Sequence, residues 1–308
     1  MHLYVVILAI VQGLAELLPV SSSAHVIIAA KLLGIDPAAP DTTLLIVMLH
    51  TGTMVAVIAY FWRRWRRDLF PSWTVFQAKA GRLAVATLCT VMVGVPLVVV
   101  IPRLALSLGL LGVDAAGHIR TAEVESLFGN LALMGASLAV VGVLILIAGL
   151  RERRSTAIVA DVPGSASASA PMPARDLSWF EAEVIGAVQG LCLPFRGFSR
   201  SGATISTGIL LGVAKNRAEE FSFALAVVVT PPVVVRELAR ALHAHPAGGV
   251  SRSHLAGDCL LGMVISFLAG LAALRWLSGW LEGGLWYLFG MYCLVAAGVV
   301  LGLHHAGF

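Results

Sequence analysis

"VQGLAELLPVSSSAHVIIAAKLLGI", Val11 to Ile35, is an apolar stretch broken near its middle by Glu16, Pro19, three serines and His25. A bilayer-crossing helix needs roughly 20 predominantly apolar residues, and proline disfavours helical backbone at the residue before it. The stretch therefore reads as two short helices joined by a polar turn. A second stretch, "VQGLCLPFRGFSRSGATISTGILLGV" from Val188 to Val213, repeats the VQGL opening, the central break and the closing LLG. The openings lie 177 residues apart and the closing motifs 178.

The rest of the chain is far more apolar than a soluble domain. Of 308 residues, 58% are hydrophobic and 12% charged, against about 25% charged in an ordinary soluble domain. Six long apolar runs supply membrane spans at 42–62, 83–101, 127–150, 221–240, 259–274 and 285–303. The uncharged run of the fourth span, 221–235, is short, so its helix is expected to continue past Arg236, with long side chains reaching towards the interface. Three spans follow each interrupted stretch, so the second copy enters from the opposite face. This predicts an all-α polytopic membrane protein of six transmembrane helices plus two re-entrant helix pairs in an inverted-topology repeat. The first repeat covers 1–150 with its re-entrant pair at 3–33, and the second covers 179–308 with its pair at 184–213. Irregular backbone at depth requires that protein or water satisfy it.

Basic residues cluster after the first span (Arg63, Arg64, Arg66, Arg67, Lys79, Arg82) and after the third (Arg151, Arg153, Arg154, Arg175). The positive-inside rule places both loops in the cytoplasm. Residues 151–178 then form a cytoplasmic linker, whose Ala, Ser and Pro content lacks apolar periodicity. The amino terminus has neither the basic start nor the small-residue cleavage site of a signal peptide, so it is expected to be retained. The net charge of +4 fits membrane orientation, and no basic stripe with stacking aromatics points to nucleic acid. The four cysteines lie in apolar runs without CxxC spacing, which argues against a zinc site or a disulfide framework.

Chemistry-bearing residues concentrate at the two breaks. Gln12 and Glu16, four apart, share one helix face. Ser21, Ser22 and Ser23 form the first turn and can cap the helix that follows, whose free N–H groups also suit a phosphate. His25 opens that helix. In the second stretch Gly197 permits a tight turn, followed by Ser199, Arg200, Ser201 and Thr204. The planar donors of Arg200 match phosphate oxygens. If the two repeats meet, the pocket holds a carboxylate, an imidazole, hydroxyls, helix N-termini and a fixed cation, an inventory for an anionic phosphorylated ligand. Charges at bilayer depth are expensive, which favours function over structure for Glu16 and Arg200. His50, in "LHTGTMVA", either lines the same cavity or is a satisfied core histidine, and Arg196 either meets ligand or anchors at the interface. Ser206, Thr207 and Ser222 read as helix-packing hydroxyls.

"VQGLAELLPVSSSAH" together with "GFSRSGATISTGILLGV" and "AEEFSFALAV" resembles the two signature segments of the undecaprenyl-diphosphate phosphatase, or bacitracin-resistance protein, family. The resemblance runs from about Val5 to the C-terminus. It implies removal of the terminal phosphate of undecaprenyl diphosphate at the outer face of the bacterial inner membrane, in a homodimer that depends on a divalent cation, Mg²⁺ or Ca²⁺. Its acidic motif falls on Gln12 and Glu16, its serine turn on Ser21 and Ser22, its histidine on His25 and its arginine on Arg200. Glu16 is then the metal-side carboxylate with Gln12 nearby, and catalysis is expected from Glu16, Ser22, His25 and Arg200. Gln12, Ser21, Ser23, Gly197, Ser199, Ser201 and Thr204 would bind substrate. The nucleophile is either Ser22 or water. Departures from the family pattern are Gln12 at the first acidic position, Ala24 before the histidine, and Arg196 before Gly197. An inverted-repeat lipid or anion transporter is the alternative function.

Overall fold

In a computed structural model, residues 3–37, 39–108, 130–160, 176–243 and 252–306 are described, and these form ten α-helices with no strand among them. In chain order they are α1 (Leu3–Leu17), α2 (Ser22–Leu32), α3 (Pro40–Leu69), α4 (Trp73–Ser107), α5 (Leu131–Ala160), α6 (Trp179–Cys192), α7 (Arg200–Leu210), α8 (Lys215–His243), α9 (Arg252–Glu282) and α10 (Trp286–His305). Six contain stretches long and apolar enough to cross a bilayer: Pro40–Asp68, Trp73–Ser107, Leu131–Arg154, Lys215–Arg236, Ser253–Glu282 and Trp286–His305. They correspond one for one to the six expected spans, and the protein is an all-helical multi-pass membrane protein.

The helices outrun the apolar runs that announce them. α3 continues to Leu69 through the arginine cluster, because arginine is a good helix former whose head can leave the apolar zone. It starts with Pro40 at its first position and Asp41 in its first turn, and carries Arg66 and Arg67 in its last. Each of these complements the missing backbone bonds or the partial charge at that end. Of the expected linker at 151–178, residues 151–160 continue α5, while 161–175 lie outside the described residues.

By contrast α1, α2, α6 and α7 have 15, 11, 14 and 11 residues. At 1.5 Å per residue none reaches the roughly 30 Å of a hydrocarbon core. α1 packs against α2 and α6 against α7, so each interrupted stretch is a helix–turn–helix pair. α1 stops two residues before Pro19 and α6 two before Pro194. The start of α6 is fixed by a capping box: the Ser178 hydroxyl accepts from the Glu181 N–H at 3.2 Å, and the Glu181 carboxylate accepts from the Ser178 N–H at 2.7 Å.

The chain divides into two compact units that interleave along the sequence, and each holds one pair. The first comprises Met1–Lys79 with Phe223–Leu277. Its core joins Val5, Leu8 and Ala9 of α1 to Val26 and Ala30 of α2, Leu45 and Leu49 of α3, and Cys259 of α9. The second comprises Ala80–Ser222 with Ser278–Phe308. There α5 and α10 form the most extensive helix pair. Gly135, Gly142 and Gly149, seven apart on α5, meet Leu301, Cys293 with Gly290, and Tyr287 of α10. Small residues allow the close backbone approach on which membrane helices rely in place of a hydrophobic drive.

Candidate active site

In the first unit the Glu16 carboxylate gathers three side chains on one oxygen. Gln12, one turn earlier on α1, places Nε2 3.0 Å from Glu16 Oε2, as the four-residue spacing predicts. Ser22, the first residue of α2, donates its hydroxyl to the same oxygen in a short hydrogen bond. His50 of α3 brings Nε2 within 3.3 Å of it. The Glu16 side chain is 13% exposed, and Gln12 is fully buried. A buried carboxylate holds its charge only where donors replace water; Gln12 and Ser22 supply them here, with His50 a third when its ring is doubly protonated.

The turn between α1 and α2 places these groups. Ser21 adopts φ +66°, the one positive φ in a non-glycine among the described residues. Such backbone is costly for a residue with a β-carbon and occurs where its surroundings enforce it, commonly at functional sites. The expected serine cap does not form at this helix start: Ser21 occupies the N-cap position without a side-chain hydrogen bond to α2. Its positive φ turns it away from the extended geometry that capping uses, and its hydroxyl instead lies 3.3 Å from that of Ser23. His25 points Nδ1 at the Ser21 carbonyl, 2.7 Å away. A carbonyl only accepts, so the Nδ1 position carries the proton and Nε2 is the nitrogen available for acid–base work.

The second unit presents the other half of the expected inventory. Gly197 has φ +103°, and a β-carbon there would lie 2.5 Å from the Met134 carbonyl oxygen, so glycine is required by conformation and by space. Ser199 caps α7, accepting from the Gly202 N–H at 3.2 Å, and its hydroxyl lies 3.4 Å from that of Ser201. Arg200 is the first residue of α7 and partly buried. The fully buried Thr204 donates to the Arg200 carbonyl at 2.7 Å and pairs with the Ser222 hydroxyl at 2.5 Å. Trp286 donates its indole N–H to Ser206 at 3.0 Å, and Thr207 bonds back to the Ala203 carbonyl. Thr204 is thus a brace of the turn, and Ser206, Thr207 and Ser222 serve helix packing as expected.

A cavity of about 570 Å³ in the second unit involves none of these residues. It lies beside Arg151, Glu152, Lys215, Glu219 and Glu282. Lys215 there pairs with Glu152 and donates to the Leu281 carbonyl at the end of α9, while Ser278 donates to Glu219. These contacts tie helix ends together.

The first unit therefore brings together Gln12, Glu16 and Ser22 and adds His50, one of two readings that the sequence left open for that residue. A histidine in the apolar run of a span was the available signal.

The sequence pattern of the family described as Bacitracin resistance protein BacA matches residues 5–300. The chain is 51% identical over 306 residues to Undecaprenyl-diphosphatase 2 of Acinetobacter baylyi, covering 98% of this chain and 97% of that protein. It is 33% identical to Undecaprenyl-diphosphatase of Desulfosudis oleivorans, covering 96% of each. It is 30% identical to Undecaprenyl-diphosphatase 1 of Burkholderia pseudomallei, covering 97% and 95%.

Proposed function

The chain belongs to the bacitracin resistance protein family, and from that premise we propose how its residues remove the terminal phosphate of undecaprenyl diphosphate. The protein is an undecaprenyl-diphosphatase: it hydrolyses the lipid diphosphate to undecaprenyl phosphate and inorganic phosphate, recycling the carrier for cell-wall synthesis and conferring bacitracin resistance.

The hydrogen bond from the Ser22 hydroxyl to the Glu16 carboxylate carries the mechanism. A nucleophile bonded to a base is the arrangement that activates a serine. Glu16 takes the Ser22 proton as Oγ forms its bond to the terminal phosphorus, and the bond from that phosphorus to the bridging oxygen breaks, releasing undecaprenyl phosphate. Water then attacks the phosphoserine, giving its proton to His25 Nε2. The serine oxygen recovers a proton from Glu16 as inorganic phosphate departs. Arg200 supplies fixed positive charge to the phosphate oxygens, since positioning and electrostatics dominate phosphoryl transfer. Further donors come from Ser21 and Ser23 at the first turn and from Ser199, Ser201 and the Gly197 backbone at the second.

A divalent cation, Mg²⁺ or Ca²⁺, is compatible with the donor set. The Gln12 carbonyl oxygen is buried with no hydrogen-bond partner, and Glu16 lies one turn away. Hard cations take oxygen ligands, and Mg²⁺ commonly uses only one or two from protein with phosphates and water completing its shell. Glu16 and Gln12 would hold the cation, and it would offset the charge of the diphosphate.

We place the two short-helix pairs as re-entrant segments and the enzyme as a homodimer in the bacterial inner membrane, with its site open to the periplasm. The cytoplasmic bias of basic residues supports that orientation. Purified protein in detergent, given undecaprenyl diphosphate and Mg²⁺ but no gradient, is expected to release inorganic phosphate. Absence of release from protein that remains folded would contradict the activity.

A further inference from the structure

We propose that His50 is a positioning residue for this reaction, holding the Glu16 carboxylate in the orientation that accepts the Ser22 hydroxyl; the proposal rests on Glu16 and Ser22 carrying the chemistry. The ring is itself fixed. Its Nδ1 lies 2.8 Å from the Ile46 carbonyl one turn back on α3, and because a carbonyl only accepts, the Nδ1 position is protonated and the ring plane is set. The other nitrogen then faces Glu16 Oε2 at 3.3 Å, where it donates as the imidazolium form of the ring.

The surrounding packing holds that turn of α3 in place. Leu45 and Leu49 are buried against Val5 and Leu8 of α1, the helix that carries Glu16. Ser266 of α9 donates to the Leu49 carbonyl at 3.0 Å, and Thr53 donates to the His50 carbonyl at 2.8 Å. A glutamate has three rotatable bonds, and Gln12 on its own helix restrains it from one element only. His50 restrains it from a second, so the carboxylate is held between α1 and α3 while α2 delivers Ser22. Groups that orient a reactive carboxylate or ligand through a hydrogen bond commonly matter about 10-fold or more for activity.

The test is steady-state hydrolysis of undecaprenyl diphosphate by purified full-length protein in detergent, with thermal unfolding as the check on folding. His50→Leu should lower kcat about 10-fold with KM nearly unchanged. His50→Gln, whose amide can donate from nearly the same place, should recover most of the loss. Adding His50→Leu to Glu16→Gln should cause no further fall, because the histidine acts through that carboxylate. If His50→Leu unfolds, His50→Asn, too short to bridge, replaces it. Equal impairment by Gln and Leu, an effect on KM alone, or a further 10-fold loss in the Glu16→Gln background would overturn the proposal. Wild-type turnover by Glu16→Gln would instead remove the mechanism on which it rests.

Discussion

At its first turn the chain forces a serine, Ser21, into φ +66° and leaves the following helix start without a serine cap. The second turn assigns its positive φ to Gly197 and caps α7 with Ser199. Two stretches that share an opening and a closing motif thus differ in where backbone strain is kept. It sits in the turn that presents the carboxylate and serine, and it is absent from the turn that presents the arginine. Strain in a turn persists only when the surrounding packing over-determines it. Here α1, α2, α3 and α9 supply that packing through one buried core. In the proposed mechanism the second turn needs position more than reactivity, because a guanidinium is always charged.

Substitutions at the two turns should separate these roles. Glu16→Gln preserves shape but removes the proposed base, and should lower kcat about 10²- to 10⁴-fold; phosphate release measures it. Arg200→Ala removes a donor of transition-state charge, and a loss of about 3 kcal/mol, or 10²- to 10³-fold in kcat, is expected. If Arg200→Ala proved the milder by far, the second turn would be a scaffold only.

Stability should follow the opposite order from reactivity. Gly197→Ala meets both a disfavoured φ and the Met134 carbonyl, and should cost about 2 kcal/mol in thermal unfolding of the detergent-solubilised protein. Ser21→Gly relieves the left-handed strain and should stabilise by about 1 kcal/mol while lowering turnover. Destabilisation by Ser21→Gly would show that the first turn is not strained and would erase the contrast between the two.

The six spans were legible because apolar runs of bilayer length have few other uses. Both helix breaks were legible at Pro19 and at Gly197, where local backbone chemistry dominates. Gln12 and Glu16 followed from spacing on one helix. The strain at Ser21 was not legible, since serine there suggests a cap, and its φ arises from the packing of the whole pair. The contact of His50 with Glu16 joins residues on separate helices, 34 positions apart. Sequence marked the histidine as unusual within a span but carried no periodic signal to choose its partner. Helix ends such as Leu69 were hidden because charge ends an apolar run without ending a helix.

In the proposed mechanism Glu16 activates Ser22 for direct attack on the terminal phosphate. Acid quench of the purified enzyme during turnover of undecaprenyl diphosphate labelled with ³²P in its terminal phosphate tests it most directly, with peptide mapping of the bound label. Phosphoserine at Ser22 is expected in the wild type and none in Ser22→Ala or Glu16→Gln. An unlabelled wild-type enzyme, together with a Ser22→Ala variant that keeps most of its turnover, would contradict it and assign the attack to water.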